Sequence, residues 1–128
     1  MMRILLLVLF LAPCLCWSED LSSYTARLSI GEWEPNTKDI VSALDLIKHD
    51  VLNNKFSQFR DYRFQYYGIK KEGKKVVVIN EFCVTYWEHA KDWRTALVMV
   101  MDGGACFFQA EYDVTDGKIT SVRSNGEA

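Results

Sequence analysis

The sequence predicts an α+β domain in which one long helix packs across a curved, four- to five-stranded antiparallel sheet. Three observations carry this expectation. Ile40, Leu44, Ile47 and Val51 recur at helical spacing in a single stretch. The chain beyond that stretch alternates apolar and polar residues or is β-branched, and turns bearing glycine break it up. Aromatic residues make up 13% of the 128 residues, which suits a β-rich globular domain better than a disordered one.

The chain opens on Arg3, an apolar run over residues 4–11, and a stretch of mostly small residues that ends at Ser18. That is the pattern of a secretory signal peptide, assigned to residues 1–18, with cleavage after Cys16 or Ser18. The apolar run is too short to span a bilayer as a helix. The expected product is therefore secreted and extracellular, with no membrane attachment after cleavage. Its size fits one domain with a real core. Loss of Arg3 leaves 14 basic residues against 17 acidic ones and moves the formal net charge from −2 to −3. Such a mild balance, with no basic stripe and no cationic amphipathic segment, excludes nucleic acid and a membrane surface as expected partners.

Residues 19–35 read as an extended N-terminal arm that ends in Gly31-Glu32-Trp33-Glu34-Pro35. Residues 36–128 form the single domain. Asn36 or Thr37 offers a helix N-cap, and Asp39 in the first turn suits the positive end of the dipole. The helix runs about four turns and stops at Asn53-Asn54. Residues 59–69 then alternate, with Tyr62, Phe64 and Tyr66 on one side and Asp61, Arg63, Gln65 and Tyr67 on the other. Residues 70–74 are a polar turn, and Val76-Val77-Val78-Ile79 marks the strand that returns from it. A polar stretch with Trp87, His89 and Trp93 follows. Further strands are expected over residues 95–101, 105–114 and 119–122, separated by Asp102-Gly103-Gly104 and Asp116-Gly117.

Cys14 and Cys16 belong to the leader, so Cys83 and Cys106 remain. An even pair in an exported chain reads as a disulfide; two buried thiols are the alternative.

Chemistry-bearing constellations are sparse. His49 lies on the helix near Asp45 and Asp50, and reads as a solvated surface residue; His89 follows Glu88 in a loop. A bonded Cys83–Cys106 pair leaves no thiolate to activate. No His-x-x-x-His or Cys-x-x-Cys pair suggests a metal, and no cofactor is expected. Glu81 and Glu111 are the one carboxylate pair singled out for acid–base work; the expectation is that both are solvated on a polar sheet surface, the alternative that they face a pocket and titrate abnormally. No catalytic residues are assigned. Among the aromatic residues, those on the sheet face away from the helix have no predicted second layer to cover them.

The order of arm, helix and meander is similar to the cystatin-like fold. Asn54-Lys55-Phe56-Ser57-Gln58-Phe59 leading into Tyr62-Arg63-Phe64-Gln65-Tyr66-Tyr67-Gly68 resembles the helix-to-strand passage of cytoplasmic cystatins. Ser42-Ala43-Leu44-Asp45 resembles the helix of secreted ones. Cystatins inhibit papain-like cysteine proteases through an N-terminal glycine and two hairpin loops. The resemblance implies Gly31, with Trp33 beside it, as the first element, and Gln65, Tyr67 and Gly68 in the place of the first loop. Trp87 and Trp93 stand near the second loop, without the family's Pro-Trp. The resemblance implies fold more than inhibition.

The expected function is that of a secreted, non-catalytic binding domain that acts through protein–protein interaction with an extracellular partner. One alternative is a divergent cystatin-type inhibitor whose partner is a papain-like cysteine protease. Another is a carrier of a small ligand. Monomer and homodimer both remain open.

Overall fold

The computed structural model describes residues 21–51, 62–85, 91–99 and 106–124. A 3-10 turn at Leu21–Ser23 leads into strand β1 at Thr25–Arg27. Helix α1 spans Thr37–Leu46 and continues as a π-helical turn over Ile47–Val51. Then come β2 at Tyr62–Lys71, β3 at Lys74–Cys83, β4 at Phe107–Asp113 and β5 at Lys118–Ser124. The five strands form one sheet in the order β1-β2-β3-β4-β5. The α+β class with one helix on one sheet is therefore as the sequence predicts. Among the described residues no helix is long and apolar enough to cross a membrane. The leader and Trp87 lie outside the described residues.

Helix α1 starts where its caps dictate. Asn36 Oδ1 accepts the Asp39 backbone N–H at 2.9 Å, and Asp39 Oδ2 accepts the Asn36 N–H at 3.4 Å. This reciprocal capping box satisfies two donors that the first turn would otherwise leave open. No glycine follows Leu46, so nothing in the side chains ends the helical path there.

Two expectations are corrected. The sheet is mixed, not wholly antiparallel: β1 pairs parallel with β2, Thr25 opposite Phe64 and Arg27 opposite Tyr66. The cause is topological. Helix α1 lies between the two strands, and such a crossover can return the chain in the same direction, whereas a tight hairpin cannot. Part of the expected arm is thus an edge strand. The second correction concerns the strand expected at 95–101: its described part, residues 95–99, is turn and coil. Side-chain amides hold that backbone in place of a neighbouring strand. Gln65 Nε2 donates to the carbonyls of Trp93 and Ala96, Gln65 Oε1 accepts the Val98 N–H at 2.8 Å, and Asn80 Nδ2 donates to Val98 O at 2.9 Å.

The central strand β3 is buried on both faces from Val76 onward. On one, Ile40, Ala43, Leu44 and Ile47 pack with Phe64, Val77, Ile79, Phe108, Ala110 and Tyr112. On the other, Trp93 and Val98 pack with Ala26, Phe82 and Phe107. The expectation of an uncovered aromatic face is overturned around Phe82 and Phe107, where Trp93 and Val98 supply the cover, while Tyr67 on the same face stays half-buried. Cys83, the last residue of β3, and Cys106, just before β4, lie at disulfide distance with their Cα atoms 5.0 Å apart. The β2–β3 reversal is a two-residue turn in which Glu72 (φ 52°) and Gly73 (φ 77°) both take positive φ.

Candidate functional site

The arm beyond β1 folds back against the β2–β3 hairpin. The Leu28 N–H donates to Tyr66 O at 2.9 Å and the Glu32 N–H to Gly68 O at 2.7 Å. Trp33 forms an antiparallel bridge with Gly68, and its indole Nε1–H donates to Ile69 O at 2.8 Å. Glu32 Oε2 accepts the Lys70 N–H at 3.2 Å. A Cβ at Gly68 would lie 2.6 Å from Trp33 Cε2, and one at Gly31 would lie 2.7 Å from Gly68 O. Both glycines are therefore required by close approach of the arm. Lys75 Nζ sits 5.2 Å from the centroid of the Trp33 ring, within reach of its negative face.

This docked turn shapes a cleft of about 120 Å³ lined by Arg27, Leu28, Ser29, Gly31, Trp33 and Glu34. Arg27 Nη1 and Glu34 Oε2 meet at 3.2 Å on its exposed rim. Burial pushes the Tyr66 phenol upward, and the neighbouring Arg27 guanidinium acts in the opposite sense. Ile30 projects from the same turn and is 56% exposed. An apolar projection, an indole and a pair of opposite charges thus share one rigid turn.

The sequence singles out Gly31, Trp33 and Gly68, and the fold brings them together. It places the other candidates elsewhere. Gln65 is buried on the opposite face, and both its amide oxygen and its amide nitrogen are engaged within the fold. Trp93 is buried on that face too, edge-on to Phe82, with the Arg94 guanidinium 4.4 Å and that of Arg63 6.0 Å from its ring centroid. Burial and the nearby Arg94 charge lower the Arg63 pKa. Tyr67 is half-buried; burial raises its pKa, Glu111 adds to the shift and Arg123 opposes it. Arg27, Ile30 and Glu34 escaped the sequence reading. Arg27 closes the three-residue β1 and Glu34 lies seven residues on in the irregular arm, so no periodicity links them.

The carboxylates do not form an acid–base pair. Glu111 stands opposite Val78 and binds Lys71 Nζ at 2.9 Å. Glu81 stands opposite Phe108, displaced by one rung from the Glu111 parity and hence on the other face. It is fully buried, contrary to the expectation of a solvated side chain. His49 is exposed, as expected. Among the described residues no group of three or more His, Cys, Asp or Glu side chains converges as metal ligands would. No family, no curated protein and no solved structure matches this chain.

Proposed function

We propose that the chain is an exported, disulfide-stapled binding domain that engages an extracellular protein through the docked turn of its arm. The observation that carries this reading is the rigid presentation of Ile30. Its turn is anchored by the Leu28, Glu32 and Trp33 hydrogen bonds, so little conformational freedom remains to be lost on binding. An exposed apolar residue on the turn whose neighbours Arg27, Trp33 and Glu34 line a cleft supplies the residue types of an interaction hot spot. The leader-like start and the Cys83–Cys106 pair support export. The test is capture from an extracellular fluid on the immobilised mature protein, beside the Ile30→Arg and Arg27→Glu variants. A partner retained by the wild type and lost from both folded variants supports the reading. A partner retained equally by all three overturns it.

The placement of Gly31 against Gly68 favours a second reading, the divergent cystatin-type inhibitor, since both stand where that resemblance puts protease-facing elements. Titration of papain activity separates the two. Stoichiometric inhibition abolished by Ile30→Arg supports the inhibitor, and undiminished papain activity sinks it.

A further inference from the structure

Glu81 is 0% exposed, on the helix-covered face, opposite Phe64 of β2 and Phe108 of β4. Neither of its carboxyl oxygens has a hydrogen-bond partner among the described residues. Folded proteins pair such groups almost without exception, so this one requires an explanation. Burial holds its carboxyl well above the usual carboxylate range. Around it the described elements bring apolar groups and phenols: Tyr24 from the arm, Tyr62 from β2 and Tyr112 from β4. Helix α1 and its π-helical turn contribute Ile40, Ala43, Leu44 and Ile47, and leave Asp45, Lys48 and His49 exposed. Arg63 belongs to the opposite face of β2, by its parity with Gln65.

The position along the strand decides what ionisation would do. Cys83 is the next residue of β3 on the same face and the last of the strand; its partner Tyr62 is the first of β2. Cys106 immediately precedes β4 and is bonded to Cys83. In the other direction, β3 continues back through Asn80 to Lys74. Along the strand, exposure returns four residues beyond Glu81, at Thr85, against six residues back, at Lys75, so among the described residues the nearer way out runs through the disulfide end. A carboxylate buried without a partner is relieved by hydration, and the end of a sheet opens more easily than its middle.

We propose that Glu81 is a proton-held latch on the Cys83–Cys106 end of the sheet: while protonated it packs as a neutral acid and the end stays shut, and when the proton leaves, that end opens and the disulfide becomes reachable by reductants. The sign follows from linkage. The closed state holds the proton more tightly than the open one, so closure is strongest below the ordinary carboxyl value and weakens as pH rises towards the value in the closed state. The closed-to-open ratio falls by up to about tenfold per pH unit in that window.

The experiment measures reduction of the disulfide in the full mature chain by a water-soluble phosphine. The phosphine gives two electrons to the sulfur–sulfur bond and becomes its oxide, with water supplying the oxygen and the two thiol protons. Rates are normalised to a small-molecule disulfide from acidic to mildly alkaline pH. The expected result is a normalised rate that climbs at least tenfold in the wild type and stays flat in Glu81→Gln. Parallel profiles in the two proteins overturn the proposal. Should Glu81→Gln fail to fold, carbon-13 titration of the wild-type Glu81 carboxyl decides. A midpoint well above the ordinary range, with amide exchange at Phe82 and Phe108 accelerating in step, supports the latch. A midpoint in the ordinary range, or exchange that does not follow it, overturns the latch.

Discussion

Asn80 Nδ2 donates to Gln65 Oε1 across the β2–β3 ladder at 2.9 Å, and the same oxygen accepts the Val98 N–H at 2.8 Å. Two buried amides on neighbouring strands thereby serve as the docking rail for residues 91–99. Replacing Gln65 with Leu strips partners from the Trp93 and Ala96 carbonyls, the Val98 N–H and the Asn80 amide. A buried polar group left without a partner costs about 1–3 kcal/mol, so Gln65→Leu should lose at least that much stability in urea denaturation. Hydrogen exchange at the Val98 amide should lose its protection, because that donor faces the missing oxygen.

Gly68→Ala tests the docking of the arm. The new Cβ would lie 2.5 Å from Trp33 O and 2.6 Å from its ring, and backbone cannot yield as a flexible side chain does. A cost of about 1–3 kcal/mol is expected from the overpacking. Faster exchange at the Leu28 and Glu32 amides, which donate to Tyr66 and Gly68, should locate the damage in the arm.

The hairpin tip carries a correctable strain. Glu72 holds φ at 52° without being glycine. Asn tolerates that region far better, and Asn-Gly is the preferred pair for a two-residue turn with positive φ at both positions. Glu72→Asn should therefore raise stability by roughly 0.5–1 kcal/mol, read as a higher urea midpoint with an unchanged slope.

Asp113 predicts an acid-sensitive turn. Its carboxylate accepts the Asp116 N–H at 3.0 Å, with Lys74 Nζ 3.6 Å away. These contacts, the backbone hydrogen bond foremost, hold its pKa below the ordinary value. The depressed folded value means that the stabilisation is present above the unfolded carboxyl value and is lost as pH falls through the folded one. Asp113→Asn should be less stable than the wild type at neutral pH, and the gap should close in strong acid. A gap that persists there would show that the aspartate acts by shape and not by charge.

Joint replacement of Cys83 and Cys106 by Ala should cost about 3 kcal/mol, since the bond closes a loop of 22 intervening residues. Thermal unfolding of the double variant against the oxidised wild type measures it.

Much of this architecture is legible in the residues. Asn36 and Asp39 announce the start of α1 by chemistry that acts within three residues. The alternation of Tyr62, Phe64 and Gln65 gives the two faces of β2 correctly. What is not legible depends on distant partners. The segment Thr95-Ala96-Leu97-Val98-Met99 has strand-forming residues, yet the amides of Gln65 and Asn80 capture its backbone first, and propensity yields to tertiary context. Three residues, Thr25-Ala26-Arg27, are too few to show a period, so β1 could not be read from pattern. Glu81 shares its parity with Val77, Ile79 and Cys83, which points inward; its charge suggested the opposite. The same conflict between pattern and chemistry marks the residue on which the proton latch rests.

The parallel pairing of β1 with β2 also sets a timetable. Thr25 cannot meet Phe64 until nearly forty further residues have left the ribosome and α1 has formed the crossover between them. The β2–β3 hairpin closes over a two-residue turn, whereas β3 must wait about as long for β4, with Val76 opposite Asp113. The amino-terminal stretch, made first, must thus wait for its seat, and until it docks the β2 backbone beside it stands open to any extended chain that arrives sooner.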